Sequence, residues 1–418
     1  MSSLPEPNPA PLPKPINIAI ERFGMRPRKG VAAIIDKYAA RIRSVANCAD
    51  QQIKLALEAS HGWAAEAPNR ISSHVVGFRE NVVVVRNLFH DEITDHMLVP
   101  PHIILAQALL GAGFSAFDAF LGQFLSLLYR EQRSVLGRFE LRQVTVGDIV
   151  SCATIDEALD AVVEKNLSKE LRESYDTIFA TLAKWHGLST LTDFPAWAEF
   201  VEASQRRHLF MHCDGIVNAQ YMKECKSAGC NLAPETKTGT ELKVDLTYLK
   251  KALDVLYQVT IMLGVTLWRT ASKDCIEPAE EFITDEIFVL LDRGEWPLAI
   301  KLGFFAINLP EQKSDLQSKI TRINYSQALK WSGDQAGAIS ALAEVDWSSC
   351  STDLKLAVAV GRDEYDTAEA LMRQRGKETE NKASLQVSFR FWPIYREFRK
   401  SPQFRAAFQE IFGVEFAE

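Results

Sequence analysis

The stretch "IILAQALLGAGFSAFDAFLGQFLSLLY", residues Ile103–Tyr129, decides the fold class. Its length and apolar content suit either a membrane-spanning helix or the core helix of a helical bundle. Gln107, Asp118 and Gln123 sit within it, and an aspartate at the centre of a bilayer costs about 3 kcal/mol. A helix buried in a bundle is the better reading, with no membrane partner.

The neighbouring sequence has the same texture. "RKGVAAIIDKYAARIRSVANCADQQIKLAL" repeats apolar residues at spacings of three and four, as a long amphipathic helix does. "TIDEALDAVVEKNL" opens with a capping box, Thr154 followed by Glu157. "SKELRESYDTIFATLAKWHG" reads as a helix capped by Ser168 and closed by Gly187. "TDFPAWAEFVEASQRRHLFMHCDG" then runs to Gly215, Asn218 caps a short helix, and Asp245 caps a long one that is apolar around much of its circumference. Only "HVVGFRENVVVVRNLF" (His74–Phe89) departs from this texture, as a candidate short strand pair or a buried helix edge. The expected class is all-α.

Beyond Ser272 three segments share one pattern: "EEFITDEIFVLLDRGEWPLAIKLGFFAI", "ITRINYSQALKWSGDQAGAISALAEV" and "TDLKLAVAVGRDEYDTAEALM". Each reads as a helix, a short turn and an Ala-rich helix, with Gly294, Gly333 and Gly361 as the turn glycines. The pattern resembles a degenerate tetratricopeptide array, in which small residues are buried where paired helices meet. "FRFWPIYREFRKSPQFRAAFQEIFG" is expected to cap the stack. Four segments follow: a disordered Pro-rich tail (1–15), a mostly helical extension with candidate short strands (16–98), a helical bundle (99–272) and tetratricopeptide-like repeats (273–418).

Bulk properties narrow the function classes. A formal charge of −7 argues against a surface built throughout for nucleic acid, though a local basic groove is compatible with it. Two basic clusters, Glu21–Gly30 and Tyr129–Arg142, are candidate contacts to an RNA backbone, or simply solvated faces. The seven cysteines are scattered and odd in number, which suits a reducing cytoplasm better than a disulfide framework. Cys225 and Cys230 form a C-x4-C pair that no second pair completes into a zinc set.

The chemistry-bearing stretch is "RRHLFMHCDGIVNAQY", Arg206–Tyr221. On a helix His208 and His212, four apart, share a face. One reading is a solvated basic helix end, where cations suit the dipole. Another is a metal site, with Asp214 or Glu199 completing the H-x3-H pair. The third is phosphodiester chemistry. An arginine clamps phosphate oxygens bidentately, and an imidazole takes and gives protons near neutral pH.

Arg207-His208-Leu209-Phe210-Met211-His212 resembles the R-x4-H signature of the HEPN superfamily of ribonucleases, and "HCDGIVNAQYM" resembles the run that follows it there. "LLGAGFSAFDAFLGQFLSLLY" is similar to that family's first long core helix. The resemblance covers about Val99–Thr270. It implies an up-and-down helical bundle that dimerises, so that two motifs face each other, and endoribonuclease cleavage that needs neither metal nor cofactor and leaves a 2′,3′-cyclic phosphate.

Carried over by position, Arg207 would hold the scissile phosphate, His212 would transfer a proton and His208 would orient the pair. Asp118 is a candidate supporting group or, equally, a core aspartate bonded to a helix end. Asn218 reads as a helix cap rather than a catalyst, and Arg206 as a bystander or backbone contact. The expected partners are RNA, a second copy of the chain and a regulatory protein on the repeats. The expected role is that of a toxin or antiviral effector in the cytoplasm. The alternatives are a non-catalytic HEPN and helical-repeat scaffold, and a metallohydrolase using His208 and His212.

Overall fold

The computed structural model describes residues 30–74, 101–131, 147, 152–189 and 191–417. The Pro-rich tail, residues 75–89 of the candidate strand pair and most of the two basic clusters lie outside the described residues. Among the described residues the chain is all-α, with one isolated antiparallel bridge, Ile216 to Glu241, and no strand. Two compact units divide it, Val31–Cys275 and Ile276–Glu418.

The first unit holds seven α-helices among the described residues: α1 (Gly30–His74), α2 (Pro101–Glu131), α3 (Ile155–Glu170), α4 (Tyr175–His186), α5 (Trp197–His212), α6 (Ala219–Ser227) and α7 (Leu246–Ala271). α7 is buried on nearly every side from Leu249 to Leu267. It is approached closely because two contacts lack side chains. A Cβ on Gly113 of α2 would lie 2.5 Å from Leu253 Cδ2, and one on Gly264 of α7 would lie 2.7 Å from Ile35 of α1. α2 is long and apolar enough to cross a membrane by length and composition. In the bundle its Phe114, Phe117, Phe120, Phe124 and Leu128 are fully buried. Phe117 and Tyr175 both meet Phe200 of α5, with ring centroids 5.4 Å and 5.2 Å away. Aromatic burial of this size is a large part of what seats α5 against α2 and α4.

Local signals set the ends. Thr154 Oγ1 accepts from Glu157 N at 3.1 Å, and the Glu157 carboxylate accepts from Ala153 N at 2.8 Å, a capping box closed one residue early. Gly187 closes α4 in the left-handed conformation, φ 68°. Ser168 is a correction: α3 runs past it to Glu170, and Ser174 caps α4 by accepting from Thr177 N. Continuing the helix keeps Leu167 buried and brings Leu171 towards Gly122.

The second unit holds α8 (Ile276–Asp292), α9 (Trp296–Ile307), α10 (Asp315–Trp331), α11 (Gln335–Ala343), α12 (Thr352–Gly361), α13 (Tyr365–Glu378), α14 (Lys382–Phe391) and α15 (Pro402–Phe412). The first six form three consecutive helical hairpins. Their turns share one hydrogen-bond pattern. Gly294 N donates to Leu291 O and Glu295 N to Leu290 O. Gly333 and Asp334 donate likewise to Lys330 O and Leu329 O, as do Asp363 and Glu364 to Val360 O and Ala359 O. These are Schellman turns, which need a left-handed residue after the helix.

In the third turn that residue is Asp363, φ 60°, whereas Gly361 is the last residue of α12 and not the turn glycine. Lys330 compensates by reaching across to the Val360 and Gly361 carbonyls and to the Asp363 carboxylate. Glu280, buried in α8, staples the first hairpin to the second: its carboxylate accepts from Lys313 N and Ser314 N, both at 2.9 Å. The aromatic segment after α14 closes the unit on Phe389, Phe398, Phe404 and Phe408.

Candidate active site

α5 changes character along its length. Its first half buries Phe200, Val201, Ala203 and Ser204, while at its end Met211 and His212 are exposed and only Leu209 stays in the core. The helix is held in this rotation by Glu202. Glu202 Oε1 accepts from Arg206 Nε at 2.7 Å and from the Tyr221 hydroxyl at 2.8 Å, and Oε2 accepts from the Tyr248 hydroxyl at 2.7 Å. Arg206 also donates to Lys243 O at 2.9 Å and lies over the Tyr248 ring, 3.9 Å from its centroid. Arg206 thus fastens α5 to the start of α7, Glu202 ties both to α6 through Tyr221, and the Arg206 guanidinium is spoken for.

Arg207 points the other way, towards α2 and α4. Its Nη2 is 3.9 Å from Asp118 Oδ2, at the outer limit of an ion pair. The other oxygen, Asp118 Oδ1, accepts from the Tyr175 hydroxyl at 2.5 Å. Arg207 Nε is buried and has no hydrogen-bond partner among the described residues. The guanidinium is therefore held near Asp118 by charge; its side chain is 30% exposed, so the donors an anionic ligand could reach are the terminal NH2 groups, not the buried Nε. Burial, followed by the nearby Asp118 carboxylate, pushes the Tyr175 hydroxyl well above its ordinary pKa, so it remains a donor.

His208 and His212 lie side by side on one face, ring centroids 4.7 Å apart and planes tilted by 53°. His208 is held below the ordinary imidazole value by burial first, and then by the positive charges of His212 and Arg207. The shift favours the neutral form of His208. His212 stands on the exposed last turn of α5.

Past His212 the chain reverses through Asp214 (φ 51°) and Gly215 (φ 74°). A Cβ on Gly215 would lie 2.7 Å from Phe210 Cε1 and 3.2 Å from Leu242 O, so the turn fits only glycine. Val217 is then buried and bonded to Thr240 O, and Asn218 Oδ1 caps α6 by accepting from Tyr221 N at 2.9 Å. Asn218 belongs to the scaffold behind the motif, not to its open face.

The structure brings Arg207, His208, His212 and Asp118 to one corner and leaves Arg206 and Asn218 out of it. Tyr175 and Glu202 were missed by sequence reasoning. Glu202 and Arg206 carried a signal in their i, i+4 spacing, whereas Tyr175 meets Asp118 across 57 residues and carried none. For the metal reading, Glu199 is paired with Lys251 at 2.7 Å and Asp214 lies past the helix end. Among the described residues no three His, Cys, Asp or Glu side chains come together as a ligand set, so the two imidazoles gain no third protein ligand.

Comparison of the chain with protein-family models, with curated proteins and with solved structures finds no match.

Proposed function

We propose that the chain is a metal-independent endoribonuclease of the HEPN type, its bundle followed by a tetratricopeptide-like hairpin array. The observation that carries this reading is the corner itself: Arg207 anchored but not saturated by Asp118, beside the His208–His212 pair at the exposed end of α5. RNA supplies the nucleophile. Its 2′-oxygen loses a proton to an imidazole and bonds to the adjacent phosphorus. The bond to the 5′-oxygen breaks as that oxygen takes a proton, leaving a 2′,3′-cyclic phosphate and a 5′-hydroxyl.

Arg207 donates to the non-bridging oxygens, where charge accumulates. His212, exposed and mobile in role, exchanges the protons. His208, biased to neutrality, orients the pair. A second copy of the chain would present its own motif across the cleft, supplying acid where the first supplies base. Exposed Met211 beside His212 gives that face an apolar contact. The hairpin unit suits a regulatory protein partner, and seven cysteines with no disulfide among them suit a reducing cytoplasm. A toxin or antiviral role follows from a nuclease that has to be held in check.

The test is cleavage of single-stranded and transfer RNA with and without EDTA, beside Arg207→Ala and His212→Ala. Cleavage that survives EDTA and disappears in both variants is the expected result. Loss in EDTA would instead favour a metallohydrolase, and no cleavage under any condition would leave the Arg207–Asp118 pair a structural device in an interaction scaffold.

A further inference from the structure

We infer that the groove between α2 and α3 is a subsite for a nucleobase of single-stranded RNA, next to the scissile phosphate; the inference rests on the ribonuclease reading above. The groove measures about 430 Å³, within the range of small-molecule sites and large enough for a nucleoside. Its α2 wall, which ends at Gly122, continues along the helix to Asp118 of the candidate active site. Leu171, at the end of α3, lies on Gly122 of α2, and four residues later Tyr175 bonds to Asp118, one helical turn before Gly122. That turn is about 6 Å along the axis.

Chemistry decides which part of a nucleotide fits. The lining cation, Arg130, is already neutralised: its Nε is 3.1 Å from Asp160 and its Nη2 3.4 Å from Glu164. One cation against two carboxylates offers no net attraction to a phosphate. What it does offer is a guanidinium plane fixed from one side, a surface on which a base stacks. Leu167 and Leu171 form an apolar floor. Gln123, Ser126 and Ser168 edge it with amide and hydroxyl groups suited to base edges. Lys37 donates to Gln123 Oε1 at 3.2 Å, which turns the amide NH2 group of Gln123 away from Lys37 as a donor to a base acceptor. Charged phosphate would then sit at Arg207 and an uncharged base in the groove.

The experiment measures binding of a fully 2′-O-methylated, uncleavable RNA oligonucleotide by fluorescence anisotropy, beside an abasic oligonucleotide of the same length. Ser126→Trp and Ser168→Trp fill the groove from opposite walls, and melting curves verify that each is folded. Both variants are expected to bind the base-bearing oligonucleotide about tenfold more weakly, the effect of losing one stacked base. Affinity for the abasic chain is expected to stay unchanged. Unchanged affinity for the base-bearing oligonucleotide, or equal losses for both ligands, would overturn the subsite. His212→Ala separates this from the catalytic reading, since it should abolish cleavage and leave base-dependent binding intact. Base-dependent binding without cleavage would keep the groove and discard the nuclease chemistry.

Discussion

Asp118 serves two partners at once: Oδ1 accepts from the Tyr175 hydroxyl at 2.5 Å, while Oδ2 stays 3.9 Å from Arg207. The short bond fixes the carboxylate, and the fixed carboxylate sets how far the arginine is engaged. An aspartate free to rotate would close on the guanidinium and form a tight pair. Held back by Tyr175, it orients Arg207 and leaves its donors for an anion.

Tyr175→Phe removes the hydroxyl and keeps the ring among Phe114, Phe117 and Phe200. Asp118 is half exposed and recovers water, so the stability cost is expected at the low end for a charged hydrogen bond, about 1–2 kcal/mol. RNA cleavage is expected to fall at least severalfold, through a raised KM, because the released Asp118 competes with phosphate for Arg207. Asp118→Asn in the Tyr175→Phe background should restore part of the binding. Urea unfolding and steady-state kinetics on the two variants and the wild type check this; Tyr175→Phe with unchanged KM would break the link between Tyr175 and Arg207.

His208 gives the site a pH signature. Its folded-state pKa lies below the unfolded value of about 6.5, with burial as the first cause and His212 and Arg207 next. Between the two values the unfolded chain binds more protons, so stability rises with pH through that window. The contribution is present above about 6.5 and is lost as pH falls through the folded value. His208→Gln should flatten this dependence, read as the difference in urea midpoints at pH 5 and pH 7. In an NMR titration the His208 pKa is expected to move up in both Arg207→Ala and His212→Ala, each of which removes a positive neighbour.

Gly215 forms the tight turn behind His212. Gly215→Ala is expected to cost about 2–3 kcal/mol, combining left-handed backbone strain with the clash on Phe210 and the Leu242 carbonyl. Gly239 provides the comparison. It too has positive φ, 91°, but a Cβ there meets nothing within 4 Å, so Gly239→Ala should cost only the strain, about 1 kcal/mol. Equal losses in a chemical-denaturation series would show that contact with Phe210 adds nothing.

The features visible in the sequence are those with short-range causes. Thr154, Asn218 and Asp245 cap helices as their side chains dictate, and Gly187 ends α4 because it tolerates the left-handed conformation. The shared face of His208 and His212 follows from helical period alone. Ser168 misled because a capping residue is also tolerated inside a helix whose apolar face continues. Gly361 misled because aspartate can take the left-handed position when Lys330 arrives from another helix to bond the freed carbonyls. The partners of the motif were illegible for a related reason. Asp118–Tyr175 and Glu202–Tyr248 span 57 and 46 residues, and pairings at that distance are set by how helices pack, which no local pattern encodes.

Adjacent arginines with opposite duties give the sharpest separation of fold from chemistry. Arg206 and Glu202 are largely buried, with side-chain exposures of 17% and 14%. Removing Arg206 leaves Glu202 with the two tyrosine hydroxyls but without its counter-charge, and α5 without its bond to the Lys243 carbonyl. Arg206→Ala is therefore expected to destabilise the protein by about 3 kcal/mol. Cleavage by the fraction that remains folded should stay near the wild-type rate. Arg207 is more exposed and among the described residues holds only the long contact to Asp118, so Arg207→Ala should cost about 1 kcal/mol or less. The same variant should lose about two orders of magnitude or more in cleavage, as expected when a preorganised donor to developing charge is removed. Arg207→Lys keeps the charge but not the planar fork, and is expected to recover little. Urea unfolding and RNA cleavage on the three variants give the two readouts. Arg206→Ala losing activity while fully folded, or Arg207→Ala retaining it, would reverse the assignment of the two side chains.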